Sequence, residues 1–360
     1  MVNSGAQLSI AEGTTFGVST DFLNTGNLNN RGNIFLKGNW MNVGVYNAPS
    51  GQLTFNSTQP QQIMNSGQVI DRLVISNGIK TLDDDLIITK ELSLNSALLV
   101  VNEEARLTLG QGVLITGASD DAFIVGKLYR QGTGDLFFPI GTANKYLPVA
   151  LTEVIGINPE IGMTAFDSAP PQDAGDDLDR LYGENYWRLE ADENYTAGFI
   201  TLPYNVGTFT ADTTNLVIGQ AVNAESDFNT LGKSSLSFND GQGTITSGGN
   251  AIGRYFTLAV APEDAPLPPL RVINVLTPLQ DGKHDFLRIE NIELYPDNQV
   301  EIFDRGGAKV FSISNYDNRD RVFRGIPNVG SIDKLQDGNY YYTIKTGKTK
   351  VKAGFLFLKN

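Results

Sequence analysis

The chain has 360 residues, no cysteine, a single histidine and a formal net charge of −13. That composition excludes disulfides, zinc–thiolate sites and cysteine nucleophiles, and it confines any Ser-His-Asp arrangement to the surroundings of His284. The length is enough for more than one hydrophobic core, and no apolar run reaches the ~18 residues that a membrane-spanning helix needs.

From Ala6 onward, short apolar triplets alternate with Gly and Asn: Leu8-Ser9-Ile10, Ile34-Phe35-Leu36, Leu53-Thr54-Phe55, Leu73-Val74-Ile75, Leu86-Ile87-Ile88, Leu92-Ser93-Leu94 and Leu107-Thr108-Leu109. Runs this short, punctuated by turn residues, predict strands. Phe22-Leu23-Asn24-Thr25-Gly26 and Trp40-Met41-Asn42-Val43-Gly44 repeat with an 18-residue offset that keeps Asn and Gly in register. A rung near that length predicts a parallel β-solenoid-like region over residues 1–120. Each strand would pair with the next rung, while stacked Asn side chains and Gly corners make the bends. A sandwich of regular hairpins is the alternative that the same pattern permits.

Over residues 121–262 the strands lengthen and carry more aromatics, at 123–129, 135–139, 146–152, 186–190, 198–202, 215–218 and 255–260. Short strands spaced by turn residues predict an antiparallel β-sandwich. Residues 168–179, with two prolines and with Asp173, Asp176, Asp177 and Asp179, interrupt the pattern and read as an exposed loop.

A Pro-rich linker at 263–270, containing Pro266-Leu267-Pro268-Pro269, sets off residues 271–360. In this last segment Val300-Glu301-Ile302-Phe303 and Tyr340-Tyr341-Tyr342-Thr343-Ile344 alternate with period 2, which puts one face of each strand into a small core. Asp337-Gly338 between apolar runs is a turn signal. About seven strands in an Ig-like sandwich fit the length, so the whole chain is predicted to be all-β. The segment carries 14 Lys and Arg against 11 Asp and Glu, a surplus of three, so the first 270 residues carry −16. An acidic body of that kind does not predict nucleic-acid binding, which needs clustered cations.

Groups that could carry chemistry are few. His284 with Asp281 and Asp285 reads as a polar turn, the carboxylates capping backbone amides. Asp83-Asp84-Asp85 and the Asp173 to Asp179 loop are the places where calcium could bind, but neither follows the spacing of a calcium loop and both read as solvated surface. Gly232-Lys233-Ser234 and Gly347-Lys348-Thr349 lack the upstream glycine of a phosphate loop and read as turns. Tyr340 and Tyr342 fall on one strand face and Tyr341 on the other, so core packing competes with a sugar-binding platform formed with Phe355 and Phe357.

The order Asn274-Val275-Leu276-Thr277-Pro278, Asp281-Gly282-Lys283-His284-Asp285-Phe286, Val300 to Phe311, Tyr316-Asp317-Asn318, Leu335 to Tyr342 and Gly354 to Lys359 resembles the gliding-motility-associated C-terminal domain of Bacteroidetes surface proteins, the type B sorting domain of the type IX secretion system. Thr277, Pro278, Asp281, Gly282 and Asp285 match its opening motif, Arg305 and Gly307 the central one, Asp337, Gly338 and Tyr340 the late one, and Gly354 the terminal strand. Gly306 stands where the family usually has Trp.

The resemblance implies a secreted cell-surface protein, associated with the outer membrane, whose terminal domain is recognised by the translocon and docks on an outer-membrane β-barrel shuttle. It also implies that this numbering begins after a cleaved leader. Lys345, Lys348, Lys350 and Lys352 are expected to form a basic rim toward that receptor, and the strand Gly354 to Leu358 either closes the sandwich or adds to a partner's sheet edge. No cofactor is expected. The preceding domains are expected to be adhesive or structural and not enzymatic, with surface polysaccharide as a ligand class. The alternatives are a β-helix polysaccharide-active enzyme with facing carboxylates and a dedicated component of the motility or secretion machinery.

Overall fold

A computed structural model describes residues 1–205, 213–239, 242–262, 269–279, 284–292, 295, 297–330, 334–346 and 350–359. Strands make up 57% of the chain and helix 1%, so the fold is all-β, and its N-terminal part is a β-solenoid of about 7 turns. By compactness the chain divides into two units. The first comprises Met1–Thr230, Phe238–Thr244 and Asn250–Pro262, and the second comprises Leu231–Ser237, Ile245–Gly249 and Glu263–Asn360.

The first rungs of the solenoid have three parallel faces. On one, Thr15–Val18, Asn33–Leu36 and Gln52–Phe55 stack in register; on another, Gln7–Ile10, Asn27–Asn30 and Val45–Asn47 do so. The third stacks Val2–Asn3, Phe22–Asn24, Trp40–Asn42 and Gln61–Met64. Period-2 alternation sends Leu28, Ile34, Leu36, Leu53 and Phe55 fully inside, each contributing about 1.5–3 kcal/mol by leaving water.

The 18-residue repeat marks one link, Asn24 to Asn42, of a longer ladder. Asn3 Nδ2 donates to Asn24 Oδ1 at 2.7 Å, Asn24 Nδ2 to Asn42 Oδ1 at 2.7 Å, and Asn42 Nδ2 to Asn65 Oδ1 at 3.2 Å. All four amides are buried, and bonding in series satisfies groups that would otherwise destabilise the interior. Beside the ladder, Phe22 stacks on Trp40 with ring centroids 5.1 Å apart and planes 9° from parallel, and the Trp40 indole N–H donates to Asn65 Oδ1 at 3.0 Å. At the Gly44 corner a Cβ would collide with the backbone of Gly26 one rung below, so the close stacking of corners requires glycine.

Val69–Leu82 and Leu86–Val101 are long because each turns a corner without breaking, and they pair with each other in parallel along most of their length. The corner at Asn77 and Gly78 has φ of 60° and 64°. Lys80, fully buried just beyond it, donates from Nζ to the Ser57 carbonyl at 2.8 Å and to that of Asn77. Burial lowers this ammonium from its ordinary value of 10.5 to about 8.

Parallel pairing continues past residue 120: Phe123–Val125 pairs with Leu98–Val100 and with Ile140–Thr142, and Leu128–Gln131 pairs with Leu107–Leu109. Leu128–Gln131 is where the sheet changes character. Its other edge pairs antiparallel with Glu160–Phe166, followed by Arg180–Ala191, Tyr255–Val260 and Leu216–Ala221. One sheet therefore runs from the solenoid into the sandwich, and the solenoid's last rung is covered by strands rather than left as an open edge. A second sheet is built on Gly134–Phe138, Val149–Gly156 and Tyr195–Asn205. Glu160–Phe166 is a further strand, not among those named from the sequence, with Ile161, Met163 and Ala165 alternating inward. Residues 168–179 form a loop, as expected, with Leu178 turned into a small core around Phe228.

In the second unit, Val275–Leu276, Lys350–Leu358, Gly338–Thr346, Gln299–Phe303 and Lys309–Ser314 form a five-stranded sheet in that order, and Arg271–Val272 pairs with Ile289–Glu290. Among the described residues of 271–360 that gives seven strands, against about seven expected.

Candidate functional site in the terminal module

The module is organised by one buried sheet face. Val300, Ile302, Val310, Tyr340, Tyr342, Ile344, Leu356 and Leu358 point inward with Leu287, Ile289, Tyr316 and Phe323. An early strand of the module lies beside its last one, because Val275 and Leu276 pair in parallel with Phe357 and Leu358. The terminal strand also pairs antiparallel with Gly338–Thr346 over its full length. It is thus a closing strand of this sheet.

Most of the motif residues build turns and close approaches. Thr277 N donates to the carbonyl of His284 at 2.8 Å, closing the loop that Pro278 enters; Asp281 and Gly282 lie outside the described residues. Asp285 is half-buried behind it. Gly307, with φ of 84°, completes the turn between Gln299–Phe303 and Lys309–Ser314, and Arg305 is exposed at its tip. Gly306 is exposed there as well, so the family's Trp at this position would have a surface place. Asp337 is exposed and Gly338 opens the next strand. Tyr340 is buried, which pushes its phenol up, and its hydroxyl donates to the Gln336 carbonyl at 2.9 Å. At Gly354 a Cβ would collide with the ring and hydroxyl of Tyr342, directly opposite in register.

Four polar residues hold the module's connections: Tyr316 and Asn318 from the Tyr316-Asp317-Asn318 segment, and Asp304 and Asn298, which are not among the motif residues. Asp304 Oδ1 accepts the amides of Gly306 at 2.8 Å and Ala308 at 2.9 Å. Asn298 donates to the carbonyls of Tyr295 and Tyr316 and accepts the Tyr316 amide at 2.8 Å. Asn318 accepts the Ile289 amide and donates to the Ile289 carbonyl. Tyr316, 1% exposed, donates its hydroxyl to the Leu287 carbonyl at 2.5 Å and accepts the Phe323 amide at 3.0 Å. Desolvation raises its pKa. For Asp304 and Asn298 the sequence signal is only that Asp and Asn sit between apolar runs, which does not distinguish a pin from a solvated turn.

The opposite face of the sheet is apolar and open. Tyr341 and Phe355, 52% and 54% exposed, are directly opposed on neighbouring strands. Phe357 opposes Val275 on the next strand, and both are exposed. Lys345 opposes the exposed Val351 farther along. The one buried acid on this face, Glu301, is held by Lys309 at 2.5 Å and by the Thr343 hydroxyl at 3.3 Å. The Lys309 hydrogen bond, against an opposing desolvation, pulls its carboxyl below the ordinary value.

Of the expected basic rim, Lys345 and Lys352 are exposed, and Lys352 Nζ donates to the Leu270 carbonyl at 2.6 Å. Lys350 begins the terminal strand, while Lys348 lies outside the described residues. The tyrosine run divides as its period requires: Tyr340 and Tyr342 pack inward and Tyr341 does not.

The remaining candidates have structural tasks. Asp84 accepts the amides of Asn65 and Ser66, and Asp83 accepts from Asn102, so these carboxylates secure solenoid corners. Both oxygens of Asp177 accept the Thr230 amide at 3.1 Å. Among the described residues no group of three or more His, Asp or Glu side chains is placed to hold a metal ion. His284 is an exposed turn residue with φ of 55°. Gly232 likewise has a positive φ in the first Gly-Lys-Ser string; residues 347–349 lie outside the described residues. No described helix is long and apolar enough to cross a membrane.

Residues 270–358 match the family model of the CHU_C type IX secretion signal domain, in agreement with a type B C-terminal sorting domain. No curated protein matches the chain. Among solved structures, the adhesin domain of Epf from Streptococcus pyogenes is 10% identical, with 65% of this chain and 91% of that chain covered and a TM-score of 0.14. A score that low describes no shared arrangement of the whole chain.

Proposed function

We propose, with a C-terminal type IX secretion signal as the premise, that this is a secreted, non-enzymatic cell-surface protein whose terminal module is read by the secretion machinery through the open face of its five-stranded sheet. The signal implies export to the cell surface. Our reading of the finer steps is docking on an outer-membrane β-barrel shuttle in a gliding Bacteroidetes cell, retention at the outer membrane, and an adhesive or structural role for the solenoid and sandwich in surface attachment.

The observation that carries the recognition step is the exposed row of Tyr341, Phe355, Phe357 and Val275 inside the matched residues. Large aromatics are enriched at interface centres and costly to leave in water. A folded face binds without the ordering cost that a disordered signal would meet. Lys345 beside the row suits the part of a rim charge, which tunes encounter rate more than affinity.

The test is export of the full chain carrying Tyr341→Ser with Phe355→Ser, scored as surface-exposed against periplasmic protein. The expected result is at least a tenfold loss of surface material with protease resistance of the purified module unchanged. Wild-type export of a correctly folded double variant would refute the docking face. Co-purification with the outer-membrane barrel in fixed stoichiometry, whether or not export is under way, would instead favour a resident component of the machinery.

A further inference from the structure

The first unit holds a cleft that neither the secretion signal nor the solenoid explains. Its volume is about 330 Å³, at the lower end of the usual range for small-molecule sites. It arises from a fault in the sheet. Arg180–Ala191 pairs with Tyr255–Val260 through Leu181↔Ala259 and again through Tyr186↔Thr257, so residues 182–185 face the single residue Leu258. A bulge of this kind re-aims side chains out of the ladder, and Tyr182, Glu184 and Asn185 all turn up in the lining of the cleft. The bulge is pinned by the Thr257 hydroxyl, which donates to the Asn185 carbonyl at 2.8 Å.

The lining has a definite chemistry. Tyr146 and Tyr182 are half-buried and line the cleft together with the fully buried Trp187, whose indole N–H is fixed on the Leu147 carbonyl at 3.1 Å. Burial, with the Asp120 carboxylate nearby, pushes the Tyr146 phenol up to about 12, so it stays a neutral donor. Asp120 and Glu184 supply exposed carboxylates and Gln242 an exposed amide, which donates to Asp120 Oδ2 at 2.9 Å. Among the described residues the cleft's single cation is Lys145, which is committed to Asn185 Oδ1 at 3.0 Å and Asp167 Oδ1 at 3.4 Å.

Phosphate or carboxylate ligands are disfavoured here, because two acids face one neutralised lysine. A small inorganic cation would leave the aromatic walls and the Gln242 amide unused. A ligand that offers apolar C–H faces to aromatic rings and a fringe of hydroxyls, each both donor and acceptor, meets every group in the lining. We infer that this bulge-formed cleft is a binding site for a short stretch of neutral glycan. The inference rests on reading the first unit as the part that meets the surroundings of the cell.

The experiment uses the purified full chain in solution, so it is independent of export, and failure of the secretion reading would leave its outcome unchanged. Neutral hexasaccharides of the α-glucan, β-glucan, xylan, mannan and agarose types are titrated calorimetrically, with choline and inorganic phosphate as the cationic and anionic probes. Binding of at least one hexasaccharide is expected, weakened at least tenfold by Tyr182→Ala and by Gln242→Ala. The latter change is exposed and leaves the core untouched. The inference is overturned if no hexasaccharide binds, if binding is unchanged in both variants, or if choline or phosphate binds in preference. Release of new reducing ends from a bound hexasaccharide would replace a binding site with a glycoside hydrolase, for which Asp120 and Glu184 are the carboxylates at hand.

Discussion

The solenoid and the terminal module both bury polar groups but connect them differently. In the solenoid Asn3, Asn24, Asn42 and Asn65 bond one to the next, so each amide is the partner of its neighbour. In the module Asn298 bonds to the backbone of Tyr295 and Tyr316, and Asn318 to that of Ile289. A series ladder follows from repetition, since the same residue at the same corner meets its own copy one rung away. A single-copy module has no such copy and must pin each connection separately. Damage to the ladder should therefore spread along the rungs, and damage to a pin should stay local.

The largest expected effect is on the rings beside the ladder. Trp40→Ala removes a fully buried ring stacked on Phe22 and should cost about 3–5 kcal/mol of unfolding free energy. Both tryptophans, Trp40 and Trp187, lie in the first unit, so the remaining Trp187 fluorescence in a urea titration reads this unit alone. A change below 1 kcal/mol would show that the rungs do not unfold together.

Next comes the ladder itself. Asn42→Ala leaves one Asn24 Nδ2 proton without a partner, at about 1–3 kcal/mol, while Asn65 Oδ1 keeps the Trp40 indole N–H. Hydrogen exchange should accelerate in the rungs on both sides. Asn298→Ala should open exchange only around Tyr295 and Tyr316, and equal spread in the two variants would erase the comparison.

Gly354→Ala tests the module's sheet, where the new methyl meets the Tyr342 ring. Overpacking of this kind should cost about 1–3 kcal/mol, read as faster proteolysis of the module, and Gly354→Ala with Tyr342→Leu should recover part of it.

Lys80 gives the solenoid a pH dependence of its own. Its folded value of about 8 lies below the ordinary 10.5, so the unfolded chain binds more protons between those limits and stability must rise with pH there. Lys80→Met should flatten the rise between pH 8 and 9.5. Above pH 10 the buried tyrosines oppose it, since Tyr46 is pushed up to about 12 by burial and its ionisation on unfolding lowers stability. An unchanged slope in Lys80→Met would remove Lys80 from the account.

Much of this architecture was legible in the residues. The triplets of the first 120 residues are strands, Asn24 and Asn42 lie in register, and the tyrosine run splits between core and surface as its period demands. The links at Asn3 and Asn65 escape an 18-residue offset because their rungs are longer. Lys80 escapes because a lysine in an alternating strand reads as solvent-facing, whereas here a corner carbonyl reaches it. The cleft escapes because a bulge exists only with respect to its partner strand, and residues 182–185 look like the approach to a strand, not an interruption within one.

The sequence by itself determined the strand segments, their inward faces and the address carried by residues 270–358, because alternation and turn chemistry act over a few residues and leave their mark in order along the chain. The tertiary structure alone decided that Gly354 lies under Tyr342, that the solenoid sheet runs on into the sandwich, and that Tyr182 and Glu184 leave the ladder to line a cleft. Those facts depend on which strand lies alongside and in what register, a relation between distant segments that no local pattern encodes.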